Sequence, residues 1–546
     1  MGAQATDGVY GQRVKQAMVS DVVAVSPTDT LSEALTLMVE NKVSALPVTD
    51  SRDRCLGVIS ASDLLGLTKD LGDELNELSH TGGLAKDLLV EHLSESDLLT
   101  EPVQDLMTEQ VVNIGPEDTL AKAASLMVRN RIHRLAVVDG SNHVLGVLST
   151  MDILRAFSEE VFEQMVSIRR DLHQHPELSR RESRTLDQIC KHLDRLGIQY
   201  RKGVAGNGVV AEIPGRNPQL PKIALRADID ALPIQEETGL PFTSSSDGVM
   251  HACGHDGHTS MLLGAAECIV AEANLPASVR LLFQPAEETG DGATAMIAEG
   301  ALEDVGLIFG GHLDRHYPTG DIVITDGAVN ASSDRFQIDI AGQGGHGARP
   351  HETIDAVVVG SLLVMAIQTI VSREINPAHP SVISVGRFNA GTASNVIAGA
   401  AQLTGTIRSQ DQEVRVHLQQ SLQRIAASVG QLHGARMEVT IDEGTPPVIN
   451  PPEIADLARL AARRVVAEEH VIPMPTANMG GEDFGRYLEH VPGCYVRIGA
   501  RFEDRDNYPA HSSKFDFNEQ ALGIGAAYYH SLALSAGRHL AEKHSL

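Results

Sequence analysis

The sequence predicts an α/β protein of several domains, and three observations support this prediction. First, a stretch near the start occurs twice in one register, as residues 18–65 and 107–154. Second, strand and helix signals alternate through most of the chain beyond residue 159, which is typical of a sheet covered by helices on both faces. Third, residues 331–445 read β-α-β-β-α-β, a split βαβ unit, and they form an insertion because the alternating pattern resumes after them.

The size and charge of the chain exclude some classes of protein. With 546 residues it is too long for one hydrophobic core, and ordinary domain sizes predict about three or four domains. The formal net charge of −28 disfavours nucleic acid and anionic membrane as partners, because phosphate binding requires a basic surface. Five scattered cysteines, no signal-peptide pattern at the start and no run of about 18 apolar residues together favour a cytoplasmic protein.

The repeat at the front aligns at a constant offset of 89 residues without a gap. Each copy consists of a β-rich segment ending in proline, an amphipathic helix that begins at Asp-Thr, two strands, and a second helix that begins at Ser-x-x-Asp. Single units of this size do not easily bury their apolar faces alone, so we expect the two copies to pack against each other.

This repeat resembles a CBS-domain pair, also called a Bateman module. The resemblance implies repeats at 12–66 and 105–158, joined by linker helices at 67–104. It also implies that an adenine nucleotide such as AMP or ATP binds in the cleft between the repeats as a regulator. The implied nucleotide contacts are Ser60, Asp63, Ser149 and Asp152. The alternative is that these residues are only helix N-caps, in a module that mediates packing alone.

Two motifs in the second half carry metal-binding and acid–base residue types. HACGHDGH, at His251–His258, holds a cysteine and three histidines between a predicted strand and a helix start, where α/β sheets place ligands. The alternative is a few surface histidines beside a buried cysteine. QPAEE ends an apolar strand, so the side chains of Glu287 and Glu288 diverge, and one can bind metal while the other faces the substrate. The alternative for this pair is a solvated helix start.

Two further histidines complete the candidate metal centre. His312 ends the apolar strand GLIFGGH, and His511 lies in the polar loop AHSSKFDF. The candidate ligands are Cys253, His255, Glu288, His312 and His511. A single catalytic zinc normally takes three protein ligands, so five ligands suit two divalent ions that share a bridge. Mixed thiolate, imidazole and carboxylate ligands favour zinc, manganese or cobalt, and Glu287 is then the natural general base.

The surrounding motifs resemble the hippurate hydrolase and auxin-conjugate hydrolase branch of the dinuclear aminoacylase/carboxypeptidase family. They are RADIDALPIQE, MHACGHDGHTSMLLGAA, QPAEE, GQGGHGARPHETIDAV, GTASNVIAG and GGEDFGRYL. The resemblance covers about residues 160–540 and implies an amidohydrolase acting on small N-acyl amino acids. It also implies a catalytic domain in two parts, 159–330 and 446–546, with a ferredoxin-like lid or dimerisation domain inserted at 331–445.

The same resemblance assigns roles to individual residues. The five candidate ligands and the base Glu287 fall on the positions that the family uses. Asp230 is implied to orient a metal-ligating side chain. His346 is implied to stabilise the oxyanion, often from a partner subunit, so a homodimer or higher homo-oligomer is expected; the alternative is a surface histidine in a glycine loop. Asn395 and Arg408 are candidates for binding the substrate carboxylate.

One departure from the family pattern puts the substrate preference in doubt. After His312 the sequence continues with Asp314, Arg315 and His316, where the family commonly has a short apolar stretch. Cys253 as a nucleophile is a competing mechanism, although it has no dedicated partners beyond the crowded histidines. A different class of function is a nucleotide-sensing binding protein with a non-catalytic hydrolase-like domain. Metal-dependent release of amine from an acyl amino acid would separate these classes.

Overall fold

The computed structural model describes residues 13–60 without 42 and 44, residue 63, and residues 100–544 without 110 and 131. The chain divides into two compact units, Met1–Val161 and Phe162–Leu546. The predicted linker helices at 67–104 lie outside the described residues up to position 99, so the structure does not test them.

The first unit contains two small sheets and the helices that cover them. Its helices are α1 (Val14–Ala17), α2 (Leu31–Glu40) and α3 (Leu120–Asn130), followed by α4 (Thr150–Gln174). Its strands are β1 (Ala45–Thr49), β2 (Cys55–Ser60), β3 (Asn113–Ile114), β4 (Arg134–Val138) and β5 (Val144–Ser149). β1 pairs antiparallel with β2, and β3, β4 and β5 form the second sheet. Thr30 begins α2 as an N-cap, because its hydroxyl accepts a hydrogen bond from Glu33 N.

The segments that lead into the two repeats are exchanged. Val14 is buried in the core of the second repeat, and Val103, which lies 89 residues later, is buried in the core of the first. Val19 bridges to Val147 in β5, and the equivalent Thr108 bridges to Val58 in β2. Each repeat therefore completes the other, which confirms the expectation that the two copies pack together.

The second unit holds one large sheet, one inserted sheet and two small ribbons. The strands are β6 (Gln199–Val204), β7 (Gly208–Ile213), β8 (Lys222–Asp228), β9 (Val279–Gln284), β10 (Val305–Pro318), β11 (Ile322–Val323), β12 (Gly327–Asn330), β13 (Ser333–Ala341), β14 (Gly345–His346), β15 (Ser381–Ala390), β16 (Val396–Ile397), β17 (Ala400–Ser409), β18 (Arg436–Thr445), β19 (Val448–Asn450), β20 (Val471–Ile472) and β21 (Gly493–Arg501).

The helices of this unit separate most of these strands. They are α5 (Ser183–Arg195), α6 (His255–Val270), α7 (Gly292–Ala298), α8 (Ala356–Thr369), α9 (Gln412–His433), α10 (Pro452–Ala462), α11 (Gly485–Leu488) and α12 (Gln520–His544). Short 3-10 helices lie at Pro350–Glu352 and Glu468–His470, and a π-helix over Ile370–Glu374 continues α8. A further 3-10 helix, Val103–Asp105, belongs to the first unit. Pro176 falls between α4 and α5, as expected for a residue that cannot continue a helix.

The large sheet has the strand order β20-β11-β21-β10-β8-β9-β7-β6. Its centre is parallel, because β10 pairs parallel with β21 and β8, and β8 pairs parallel with β9. β8, β9 and β21 are buried along almost their whole length, as parallel strands covered on both faces should be. The predicted α/β catalytic domain is thus confirmed.

The insertion forms a separate antiparallel sheet with the order β15-β17-β13-β18. In chain order this is 2-3-1-4, the arrangement of a ferredoxin-like βαββαβ unit, as the sequence predicts. Apolar residues of α8 and α9 form one core with the sheet, among them Leu363, Ile367, Leu418 and Leu422. The ribbon β12-β19 pairs the chain on either side of the insertion.

One stretch of the insertion is unusually apolar. Within the described part of the chain, Ala356–Glu374 is the helix that is long and apolar enough to cross a membrane by length and composition. It is a covering helix of the inserted sheet, because Val359 and Leu363 are buried against that sheet. Its outer face remains apolar and exposed, with Leu362 at 44% and Met365 at 70% exposure.

Candidate active site

The candidate site lies where the central strands of the large sheet end. Asp228 is the last residue of β8, Glu287 and Glu288 follow β9, and His312 lies within β10. His255 is the first residue of α6. Asp228, Glu287 and Glu288 thus lie at the carboxyl ends of parallel strands and His255 at the start of a helix, which is where open α/β sheets bind ligands.

The backbone around the predicted ligands adopts unusual conformations. Gly254, the N-cap of α6, has a φ of 88°, in the left-handed region that glycine adopts readily, and it separates Cys253 from His255. Ala286 and His511 lie in the same region with φ values of 58° and 66°. Left-handed conformations of non-glycine residues cost energy and cluster at functional sites. Both residues stand at or next to positions that the sequence predicts as functional.

The structure brings the five predicted ligands and Glu287 together. Cys253 Sγ lies 3.4 Å from His312 Nε2. His255 Nε2 lies 3.9 Å from Glu287 Oε2 and 3.9 Å from Glu288 Oε1, and Glu288 Oε1 lies 3.5 Å from His511 Nε2. The potential ligand atoms form overlapping groups within 4.8 Å, namely Cys253–His255–His312, Cys253–Glu288–His511 and His255–Glu287–Glu288.

Two buried atoms show that these residues fit metal ions. His255 Nε2 and Glu288 Oε1 are buried and have no hydrogen-bond partner. A buried polar atom without a partner lowers the stability of the fold by about 1–3 kcal/mol. A bound cation would satisfy both of these atoms. Burial also lowers the pKa of His312 well below its usual range, which favours the neutral imidazole that binds metal. The donor set suits two divalent ions such as zinc, manganese or cobalt.

A second set of side chains orients the candidate ligands. His255 Nδ1 lies 2.9 Å from the Asp230 carbonyl oxygen and 3.3 Å from Asp230 Oδ1. Asp230 Oδ2 accepts hydrogen bonds from Ser179 Oγ and from Glu288 N, at 2.6 and 3.1 Å. Asp230 therefore contacts both the ring of His255 and the backbone of Glu288, and it can fix their geometry.

His258 is part of the HACGHDGH motif but has another role. Leu313 N donates to His258 Nε2 at 2.9 Å, so the ring carries its proton on Nδ1, which lies 2.6 Å from Asp228 Oδ1. Both ring nitrogens are thus engaged within the protein. Asp228 Oδ2 also lies 3.8 Å from His255 Nε2. His258 therefore fixes Asp228 beside the metal groups.

Glu287 faces a buried acidic cluster on its other side. Potential ligand atoms of Glu287, Glu482 and Asp483 lie within 4.8 Å of one another. Burial, together with the charges of Glu482, Glu288 and Asp483, raises the pKa of Glu287 well above its ordinary value. Burial likewise raises the pKa of Asp483 to about 7, although Arg226 opposes the shift. A carboxyl with a raised pKa is suited to hold and release a proton near neutral pH.

Comparison with known proteins gives the family. Residues 224–535 match peptidase family M20/M25/M40, which is more than half of the chain. The chain belongs to peptidase family M20. A CBS-domain pair, matched over residues 14–70 and 103–159, precedes the M20 domain. The resemblances that the motifs indicate are therefore confirmed for both halves of the chain.

Relatives of this M20 chain include proteins whose names describe enzymes that act on amides of amino acids. It is 41% identical over 368 residues to N-acetyl-L-cysteine deacetylase of Bacillus subtilis, covering 67% of this chain and 86% of that protein. It is 38% identical over 396 residues to IAA-amino acid hydrolase ILR1-like 2 of Arabidopsis thaliana, covering 72% and 89%. The crystal structure of the Bacillus subtilis YxeP protein, described as a dinuclear metal-binding M20 peptidase, matches with a TM-score of 0.61 and 35% identity, covering 70% of this chain and 99% of that one.

The structure shows local contacts for the three residues predicted on the M20 insertion. β14 pairs with β16, so that His346 lies opposite Val396, and Gly347 N donates to Asn395 O at 2.9 Å. His346 and Asn395 are therefore neighbours, and both are exposed. Arg408 reaches toward the catalytic domain, because its Nη1 donates to Met479 O at 2.9 Å. Within the described residues, the groups of potential ligand atoms do not include His346.

The predicted nucleotide contacts adopt the geometry of helix caps. Asp63 Oδ2 accepts hydrogen bonds from the hydroxyl and the backbone N of Ser60, at 2.6 and 2.8 Å. Asp152 Oδ2 accepts the same two bonds from Ser149, at the same distances. The N-cap alternative thus accounts for these contacts, and nucleotide binding remains a prediction.

Some site residues were missed by sequence reasoning. Arg226, Asp228 and His258 belong to motifs that the sequence already singles out, and Glu482 and Asp483 belong to GGEDFGRYL. Asp228 carried a usable signal, because it ends an apolar strand as Glu287 follows one. Glu482 and Asp483 lie in a loop between short elements, where no strand pattern points to a site.

Proposed function

We propose that the M20 domain hydrolyses the amide bond of small N-acyl amino acids with two divalent metal ions and Glu287 as general base. The observation that carries this proposal is the convergence of Cys253, His255, Glu288, His312 and His511 around Glu287 in overlapping groups within 4.8 Å. The names of the two relatives, a deacetylase of an acylated amino acid and a hydrolase of an amino acid conjugate, support the same substrate class.

The five ligand residues would hold the two ions, which polarise the amide carbonyl and acidify water when bound. Glu287 takes a proton from the attacking water as the water oxygen bonds to the carbonyl carbon. The carbon–nitrogen bond then breaks, and Glu287 passes the proton to the leaving amine. The products are a carboxylate and a free amino acid.

The insertion supplies substrate contacts in this proposal. Arg408 binds the substrate carboxylate, and Asn395 lies beside His346 on the exposed β14-β16 ribbon. His346 stabilises the oxyanion from the partner subunit of a homodimer. The outer face of α8 is the proposed contact between the subunits, because it exposes Leu362 and Met365 while its inner face is buried.

Hydrolysis through a Cys253 nucleophile is the less favoured mechanism. Burial, followed by the charge of Glu288, raises the pKa of the Cys253 thiol well above its usual range. A thiol attacks as the thiolate, so this environment disfavours Cys253 as a nucleophile. The non-catalytic sensor is disfavoured because every predicted ligand and the base are present together.

Glu287→Gln tests the role of the base. We expect amine release from N-acetyl, N-benzoyl and indoleacetyl amino acids to fall by about 100- to 10,000-fold, because a general base contributes that much, while the metal content stays unchanged. Metal content is measured by elemental analysis of the reconstituted protein. The exposed Glu299→Gln serves as the control and is expected to keep wild-type rates. Activity of Glu287→Gln within about tenfold of wild type contradicts the assignment.

The CBS pair is proposed to regulate this activity through an adenine nucleotide. Ser60, Asp63, Ser149 and Asp152 are the proposed contacts. AMP, ATP and S-adenosylmethionine are tested for a change in melting temperature and in rate, since a ligand that binds the native state raises its stability. No response to any of them, on full-length metal-loaded protein, would leave the CBS pair as a packing module.

A further inference from the structure

Arg497 lies on β21 beside the candidate metal centre. It stands opposite His312 in the parallel pairing of β10 with β21. A Cβ built on Gly310 would lie 2.9 Å from the ring of Tyr495 and 2.8 Å from that of Phe484. Because side chains alternate along strands, Gly310, His312, Tyr495 and Arg497 share one face of the sheet. Arg497 is therefore a neighbour of a metal ligand on the face that carries the site.

Arg497 differs from the other buried arginines of the described chain because its charge has no carboxylate partner. The buried arginines of the described chain are Arg169, Arg226, Arg280, Arg415 and Arg497. The first four each form an ion pair with at least one carboxylate. Arg497 is 4% exposed, and its hydrogen bond is to the neutral Asn330 Oδ1 at 2.5 Å. Among the described residues, Arg497 forms no ion pair with a carboxylate, although buried charges are normally paired.

A second arginine approaches the same wall of the site. Asn330, the partner of Arg497, donates through Nδ2 to Gly480 O at 3.2 Å. Arg408 donates to the carbonyl of the preceding residue, Met479, at 2.9 Å. Arg408 also forms no ion pair with a described carboxylate. The Arg408 guanidinium thus contacts the segment Asn478–Gly480 from the insertion, and the Arg497 guanidinium is linked to the same segment through Asn330.

A purely structural role for Arg497 has a specific difficulty. The Arg497 guanidinium lies 5.5 Å from the centroid of the Tyr495 ring, and the Tyr495 hydroxyl donates to Glu482 Oε2 at 2.5 Å. Glu482 Oε1 already accepts from Arg226 Nη2 at 3.1 Å and from Phe484 N at 3.0 Å. Its charge therefore has a partner, whereas that of Arg497 has none within the described chain.

From this geometry we propose that Arg497 binds a second carboxylate of the substrate, so that the enzyme prefers acyl amino acids carrying two carboxylates. This rests on the proposed amidohydrolase function. Arg408 binds one carboxylate, and Arg497 binds the other through a charge-assisted hydrogen-bond pair. The second carboxylate belongs either to an acidic amino acid side chain or to a dicarboxylic acyl group, which share the same chemistry.

Matched substrate pairs test the preference in rate. N-acetyl-L-glutamate is compared with N-acetyl-L-glutamine, and N-succinyl-L-leucine with its terminal amide. The ratio of kcat/KM within a pair measures recognition of the second carboxylate, and the pair that shows it identifies the source. In the wild type we expect kcat/KM for the dicarboxylate to exceed that for its amide by about tenfold or more in one pair. This ratio should fall by about 10- to 100-fold in Arg497→Met and should be partly kept in Arg497→Lys. The exposed Arg501→Met, on the same strand, should keep the wild-type ratio.

Binding gives a readout that does not depend on turnover. The same four compounds are titrated calorimetrically into metal-loaded Glu287→Gln, with and without Arg497→Met. If wild type releases no amine from any acyl amino acid, the proposed function fails, and calorimetry still decides whether Arg497 binds a carboxylate. A wild-type protein that favours neither dicarboxylate in rate or affinity overturns the inference. An Arg497→Met variant whose ratios stay within about threefold of wild type overturns it equally.

Discussion

Replacing Arg226 by methionine should destabilise the catalytic unit more than most single changes. The Arg226 guanidinium is 1% exposed and donates to Asp228 at 2.6 Å, to Asp483 at 2.9 Å and to Glu482 at 3.1 Å. Removing one partner of a buried ion pair costs about 3–5 kcal/mol, because the other charge stays buried and uncompensated. Here three carboxylates lose their cation, so we expect the free energy of unfolding to fall by an amount at the upper end of that range. A typical domain has about 5–15 kcal/mol of stability in total.

The chain offers a convenient probe for this measurement. It contains no tryptophan, and all of its eight tyrosines except Tyr10 lie beyond residue 161, so tyrosine emission during urea unfolding follows the second unit. Arg170→Met is the control, because Arg170 pairs with Glu519 at a partly exposed position. This substitution should lower the free energy of unfolding by about 1 kcal/mol or less. Adding Asp483→Asn to Arg226→Met should recover part of the loss. An Arg226→Met protein within about 1 kcal/mol of wild type would refute this reasoning.

Three further predictions concern other parts of the chain. Burial lowers the pKa of His192 to about 4, and Arg195 donates to its Nε2. The stability that this neutral ring contributes above about pH 6.5 should therefore be lost as the pH falls toward 4, by roughly 3 kcal/mol. His192→Gln should flatten the melting temperature over that pH range, and an unchanged pH profile in the variant would contradict the prediction. Arg415→Met should destabilise the insertion by about 3–5 kcal/mol, because Arg415 pairs with buried Asp334, and hydrogen exchange across 331–445 should rise. Met365→Asp should convert the proposed dimer to a monomer in light scattering, and an intact dimer would exclude the α8 face as the contact.

Much of the fold followed from patterns that are local in sequence. The repeat predicts the CBS pair because one register holds across 18–65 and 107–154, and the switch to β-α-β-β-α-β predicts the inserted sheet. Two-residue strands such as β11 and β20 were missed, since a strand that short has no alternation to detect. The exchange of the repeats' leading segments was missed as well, because swapped and unswapped cores have the same apolar pattern.

The candidate site was predictable where a short motif carried the chemistry. Cys253 and His255 share one motif, and Glu287 lies in another, so residue type and position near a strand end sufficed. The pairing of Asp228 with His258 spans 30 residues, and that of Arg226 with Asp483 spans 257, so both required the folded chain. The position of His346 relative to the metal groups depends, in our proposal, on a second subunit, which one sequence does not describe.

The exchange of Val14 and Val103 between the two CBS cores bears on how this module holds together. The core of each copy includes a segment that the other copy supplies, so each copy depends on its counterpart for a complete core. Because both copies lie on one polypeptide, the exchanged segments meet by a tethered encounter that does not depend on concentration. Cleavage between the copies should therefore return each half to dependence on its counterpart.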